Sequence, residues 1–208
     1  MEISTSTRKK SPSTILVIDD QLNQNDPLLV KIKMFYKNAV LLSSHDAALA
    51  YLNGDHLEER NIVILDYKFD GQLYTGKAIL ETIRRKSYLI PVILWTASKD
   101  KVNDFPELIN FGINSVVDQN DNKTLFLKIA EADSSLNRSI EAAIEEWIIY
   151  QDRDKRNAPY YITASGKKYS LNEILTEIRL RTPFGEKVEK DINMLAIDLL
   201  INNEREIS

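Results

Sequence analysis

The chain has 208 residues, 43% of them hydrophobic, and a net charge of −4 from 27 basic and 31 acidic side chains, enough for one good domain plus something smaller. Acids and bases are mixed along it, which removes the electrostatic case for bulk nucleic-acid or membrane binding. There is no cysteine, so disulfides and thiolate chemistry are excluded, and a reducing cytoplasm is the expected setting.

The stretch 1–12 is rich in Ser, Thr and Lys and has no apolar centre; it reads as a flexible leader and not a secretory signal. Strand and helix patterns then alternate to about residue 120. Thr14 to Ile18 reads as a strand. Asp26 and Pro27 read as a cap and first-turn proline before a helix with Leu28, Ile32 and Phe35 inside. Ala39 to Leu42 is a short strand, His45 to Leu52 a short helix stopped at Asn53-Gly54, and Asn61 to Leu65 the third strand. After the loop from Asp66 to Thr75, Gly76 to Lys86 is predicted helical, with Ile79, Leu80 and Ile83 inside. Ile90 to Trp95 is the fourth strand, Asn103 to Phe111 a helix, and Asn114 to Val117 the fifth strand. Five βα units of this length predict an α/β fold, a five-stranded doubly wound parallel sheet with right-handed crossovers.

Residues 122 to about 156 lack Gly and Pro and read as one long helix, either a stalk or a kinked pair. Its seam would be Leu125, Ile129, Ala132, Leu136, Ala143 and Trp147, with Ile140 and Ile144 beside it. After Pro159, Tyr160 to Thr163 and Lys167 to Tyr169 predict a hairpin over a Ser-Gly turn. Ser170 and Glu173 form a capping box for a helix with Leu171, Ile174, Leu175 and Ile178 on one face. Thr182-Pro183-Phe184-Gly185 breaks it, and a last helix from Glu186 to about Asn202 carries Ile192, Leu195, Leu199 and Leu200. The expected division is a leader at 1–12, an α/β domain at 13–130, a helical linker at 131–157 and a small α+β module at 158–208. Lys plus Arg equals Asp plus Glu over residues 151–208, ten of each.

The chemistry sits at strand ends. Asp19 and Asp20 follow the first strand, Asp66 follows the third, and Thr96 follows the fourth. In an open α/β sheet, ligands bind outside the carboxyl ends of the strands. Three carboxylates gathered there repel one another, and a hard divalent cation is the simplest way to hold them ionised. One acid at a strand end is commonly a cap or a solvated loop residue; the ordered set carries the reading. His45 and His56 have no metal-ligand spacing and read as surface residues. Trp95 reads as packing, Lys9-Lys10 and Lys167-Lys168 as solvated, and Gly71 and Gly76 as sources of loop freedom.

The paired acids, the single acid and Thr96-Ala97, with Ile90-Pro91-Val92-Ile93 leading to them, resemble the receiver domain of two-component response regulators over about residues 13–130. The resemblance implies a flavodoxin-like fold of receiver type and a phosphoryl group accepted on Asp66 from a histidine kinase or phosphotransfer protein. It implies magnesium held by Asp19, Asp20, Asp66 and the backbone carbonyl of Lys68, with Thr96 and Ala97 contacting the phosphoryl group. A regulator of this kind is not an ordinary enzyme; at most it gains and loses a phosphoryl group on Asp66. Aspartyl phosphate formation suits a carboxylate nucleophile, and phosphoryl transfer asks mainly for positioning and charge neutralisation.

Three departures stand out. The lysine that the family places after strand five is Gln119 here, which removes a charge-assisted contact; Lys123 is the nearest cation along the chain. Val116 stands where the family has an aromatic switch residue. The acceptor loop from Asp66 to Gly76 is two residues longer than usual and lacks the family's Met-Pro. The leading expectation is a regulator with output through protein–protein interaction of the C-terminal helical region, including a homodimer through the long helix and tail. The alternatives are a pseudo-receiver scaffold, a phosphate sink, or a DNA-binding regulator with a helix-turn-helix in the tail. A dehalogenase-type hydrolase would need an acid where Lys68 stands. Neither membrane nor nucleic acid is an expected partner.

Overall fold

The computed structural model describes residues 10–54, 56, 60–68, 75–97, 108 and 110–206. Residues 1–9 of the expected leader, most of the expected 103–111 helix and residues 69–74, with Gly71, lie outside the described residues; Ser11 and Pro12, expected in the leader, open the first strand, where Ser11 pairs with Tyr36. The chain divides into two compact units, one of Met1–Ile83 with Ile90–Ser134, the other of Arg84–Leu89 with Ser135–Ser208.

The first unit is the doubly wound sheet. Its strands are β1 (Ser11–Ile18), β2 (Tyr36–Leu42), β3 (Asn61–Leu65), β4 (Val92–Thr96) and β5 (Ser115–Asp118), in the order β2-β1-β3-β4-β5. Every pairing is parallel. Parallel sheets covered on both faces need unbroken apolar runs, and β3 and β4 are buried along their whole length. Alternate residues feed opposite faces. Leu16, Ile18, Val63, Leu65, Val92 and Leu94 share one core with Leu52, Ile79, Leu80 and Ile83. Ile15, Val17, Ile62, Ile64 and Ile93 are equally buried on the alternate positions.

The helices on this sheet are α1 (Pro27–Phe35), α2 (His45–Asn53), α3 (Thr75–Lys86) and α4 (Asn122–Arg138). Asp26 caps α1, its side chain accepting from the Leu28 amide, with Pro27 in the first turn. The buried positions of α1 are Leu28, Leu29 and Ile32. Phe35, expected inside, is 41% exposed: it is the last helical residue, and the chain turns straight into β2.

Of the two readings of residues 122–156, the continuous stalk does not form and the segment is broken, as in the kinked pair, with one break more than expected. Ser139 leaves the helical region (ψ 132°) and its hydroxyl accepts from the Ala142 amide, starting α5 (Ile140–Ile149). A second break at Gln151-Asp152 precedes α6 (Arg153–Asn157). Serine competes for backbone hydrogen bonds and so favours caps over helix interiors. The break rotates the apolar face. Ile144 and Ile148 are buried, whereas Trp147 and Ile140, placed in or beside the expected seam, are 45% and 42% exposed.

The second unit adds β6 (Pro159–Ile162) and β7 (Lys168–Ser170), an antiparallel hairpin with Gly166 at φ +83° in its turn. Then come α7 (Leu171–Arg179), with the full Ser170–Glu173 capping box, and α8 (Pro183–Glu206). The last helix begins earlier than expected: Thr182 accepts from the Gly185 and Glu186 amides, so the breaker is itself a cap. A Cβ on Gly185 would lie 2.4 Å from the Glu177 carbonyl oxygen, so α8 packs backbone to backbone on α7. Ile144, Ile148, Tyr169, Leu171, Ile174, Leu175, Ile178 and Val188 make the core. Arg179 Nε donates to Glu145 Oε1 at 2.6 Å, joining α7 to α5. Among the described residues no helix is long and apolar enough to cross a membrane.

Candidate functional site

Asp19 follows the last residue of β1, and its amide donates to the Leu42 carbonyl, continuing the ladder to β2. Its side chain turns back on the chain: Oδ1 accepts from the Gln21 amide at 2.8 Å and the Leu22 amide at 3.2 Å. Asp66 stands in the same place after β3, its amide donating to the Ile18 carbonyl at 2.9 Å and its Oδ1 accepting from the Lys68 amide at 3.2 Å. The pairing of β1 with β3 therefore sets the two acids side by side. Asp19 is 1% and Asp66 6% exposed, and Asp20 is half-buried.

One carboxylate oxygen from each of Asp19, Asp20 and Asp66 lies within 4.8 Å of the others. Burial pushes the Asp66 carboxyl up to about 6; the Lys68 amide pulls it down, and the Asp19 and Asp20 charges push it up further. Asp19 is also raised, by burial first, against the Gln21 and Leu22 amides. Two buried carboxylates with raised pKa values are short of positive charge. The donors are all hard oxygens, the set that magnesium or calcium takes and soft metals do not.

Thr96 is the fully buried last residue of β4, and Ala97 after it is exposed. The Gln119 amide donates to the Thr96 carbonyl at 3.3 Å, and Gln119 Nε2 donates to Asp19 Oδ2 at 3.4 Å. The structure thus gathers Asp19, Asp20, Asp66 and Gln119, with Thr96 on the neighbouring strand end. Lys68 reaches the site through its amide N–H. Val116 is half-buried against the sheet's core.

Gly76 has a role that the sequence reading missed. It lies in the first turn of α3, where a Cβ would come within 2.8 Å of the carbonyl oxygens of both Asp66 and Tyr67. Close approach, and not loop freedom, requires glycine there. A glycine opening a helix just after the loop that follows Asp66 was the available signal.

No protein-family model matches this sequence, and no curated protein matches it. Solved structures do. A response regulator receiver domain from Methanospirillum hungatei superposes with a TM-score of 0.51 at 18% identity, over 62% of this chain and 100% of that one. The signal receiver domain of a two-component response regulator from Bacteroides fragilis gives 0.49 at 26% identity, over 59% of this chain and 98% of that one. The Methanospirillum likeness shows the fold: the N-terminal three-fifths of this chain has the fold of receiver domains, and the C-terminal part lies outside the match.

Proposed function

We propose that this chain is a phosphoacceptor regulator in which Asp66 takes a phosphoryl group from a histidine kinase or phosphotransfer protein. One observation carries the reading: three carboxylates from two adjacent strand ends converge within 4.8 Å, with Asp66 among them. An Asp66 carboxylate oxygen attacks the phosphorus of a phosphohistidine. The new O–P bond forms as the P–N bond breaks, and the electron pair returns to the imidazole nitrogen. Asp19, Asp20 and Asp66, with the Lys68 carbonyl, would hold magnesium. An ion held there would supply positive charge against the phosphoryl oxygens. Thr96 offers its hydroxyl, and Ala97 its backbone, to those oxygens. The turn that locks Asp19 keeps the site preformed.

Output runs through the second unit. On α8, Ile192, Met194, Leu195, Ile197, Leu199 and Ile201 are between 39% and 59% exposed. An apolar surface of that extent marks an interaction site, which supports protein–protein interaction, including self-association, as the output. A second reading has its own support: Gln119 occupies the place of a cation, which favours a scaffold or phosphate sink with little switching.

The deciding experiment is incubation of the whole protein with acetyl phosphate and magnesium, read by intact mass. A phosphoryl adduct that needs magnesium and vanishes in Asp66→Asn is the expected result. An equal adduct in the variant removes Asp66 as acceptor, and no adduct on the wild type leaves the scaffold reading.

A further inference from the structure

The helix that follows Asp66 serves both units. α3 runs from Thr75 to Lys86, a length on the order of 18 Å. Ile79, Leu80 and Ile83 lie in the first unit's core, and so does Ile90, where the chain returns to it. The residues between, Arg84–Leu89, belong to the second unit.

Both ends of α3 are held through backbone. At the amino end, a Cβ on Gly76 would lie 2.8 Å from the carbonyl oxygens of Asp66 and Tyr67 and 3.0 Å from Tyr67 Cα, so the helix rests directly on that turn. The turn is tied to the Asp66 side chain, because the Lys68 amide donates to Asp66 Oδ1 at 3.2 Å. Tyr67 is buried in the first unit's core, which leaves the turn no room to yield inward. At the carboxyl end, buried Arg84 donates from Nη1 to the Ser87 carbonyl at 3.1 Å, and Ser87 Oγ accepts from the Leu89 amide at 3.0 Å. The Tyr88 amide donates to the Arg179 carbonyl, in the last residue of α7, at 2.8 Å. Leu89 packs against the core that holds Ile174, Leu175 and Ile178.

We propose that α3 is the coupling element of this protein: a change at the Asp66–Lys68 turn shifts the start of the helix and reaches the end of α7 through the Tyr88 amide. The inference rests on Asp66 as the phosphoacceptor. A phosphoryl group there turns a charged acceptor of the Lys68 amide into the neutral oxygen of an acyl phosphate, and charge-assisted hydrogen bonds are the stronger kind. The turn that carries the Asp66 and Tyr67 carbonyls is then held differently. Gly76 leaves no gap to absorb the difference. Packed elements pass on such small shifts, because their cores do not deform continuously.

Residue-resolved hydrogen exchange on the whole protein tests this, with intact mass recording the adduct in the same samples. With acetyl phosphate and magnesium, exchange at the Tyr88 amide and in the last turn of α7 should change by about fivefold or more, the low end of ordinary coupling between sites. The β6–β7 hairpin, in the same unit, should stay as it was. Gly76→Ala should speed exchange at Tyr88 with no phosphodonor present, because its Cβ must push α3 off the Asp66 and Tyr67 carbonyls. Tyr88→Pro deletes the donor; it should take the adduct to the wild-type yield and leave α7 unresponsive. Tyr88→Ala keeps the amide and should respond as the wild type does. An adduct on Asp66 with unchanged exchange at Tyr88, a wild-type response in Tyr88→Pro, or a hairpin that moves with α7 overturns the coupling and leaves Asp66 as acceptor. So does unchanged exchange in a folded Gly76→Ala; should that variant not fold, the wild-type comparison decides. No adduct on the wild type removes the acceptor and the coupling together, since α3 then has no event to carry.

Discussion

Gln119 Nε2 stands 3.4 Å from Asp19 Oδ2, so the residue at the end of β5 is tied to the acid at the end of β1 by a neutral amide donor. The amide satisfies one carboxylate lone pair and leaves the charge of the cluster as it was. Asp19 and Asp66, both buried, keep raised pKa values beside it.

Replacing that amide by an ammonium should stabilise a phosphorylated site. Gln119→Lys is expected to raise the yield or rate of the Asp66 adduct, with a gain of roughly 1.5–3 kcal/mol for one charged hydrogen bond. Intact-mass time courses on both proteins measure it. An unchanged course would mean that Lys123 or another cation already serves.

The Asp66 carboxyl should make stability fall as pH rises in metal-free protein. Its pKa, 3.8 in an unperturbed side chain, is pushed up to about 6 by burial first and then by the Asp19 and Asp20 charges. The folded state therefore binds the proton more tightly than the unfolded one. Its contribution is complete below about 3.8 and is lost as pH rises through about 6. Urea midpoints in chelator at several pH values between 4 and 7, for wild type and for Asp66→Asn, isolate the group. Wild type should lose on the order of 2 kcal/mol relative to the variant across that window. A difference that stays flat with pH contradicts the prediction.

Magnesium should restore what the like charges remove. A ligand that binds only the folded state stabilises it by mass action, about 2.7 kcal/mol at a hundred times its dissociation constant. A melting scan with and without millimolar magnesium should show an upward shift in wild type and little in Asp20→Ala. An equal shift in the variant would place the ion elsewhere.

The exposed face of α8 should drive self-association. Leu195 and Leu199 lie one turn apart and are 59% and 56% exposed, so charges there leave the second unit's core untouched. Light scattering on the whole protein should report a dimer, and Leu195→Glu with Leu199→Glu a monomer. A wild type that stays monomeric at high concentration would direct the surface to a different partner.

Much of the first unit was legible along the chain. Strands buried on both faces require continuous β-branched runs, and those runs end where Asp19, Asp66 and Thr96 begin. Once the order of βα units is known, right-handed crossovers leave few ways to arrange the strands, so the convergence of the acids follows from local signals. The capping box at Ser170 and the Asp26-Pro27 start were legible for the same reason: their hydrogen bonds close within three residues. Other features depend on contacts distant in sequence. Whether Ser139 continues a helix or caps a new one is a balance of about 1 kcal/mol, and burial of Ile144 and Ile148 in the second unit goes with the cap. Gly76 and Gly185 read as ordinary glycines until the backbones of Asp66 and Glu177 are brought against them. Asp133 gives no sign in sequence of meeting Ser11 and Ser13, some 120 residues earlier. Only the packing of α4 beside the start of β1 puts that carboxylate next to Tyr36, because short-range propensity carries no information about which distant surface a helix covers.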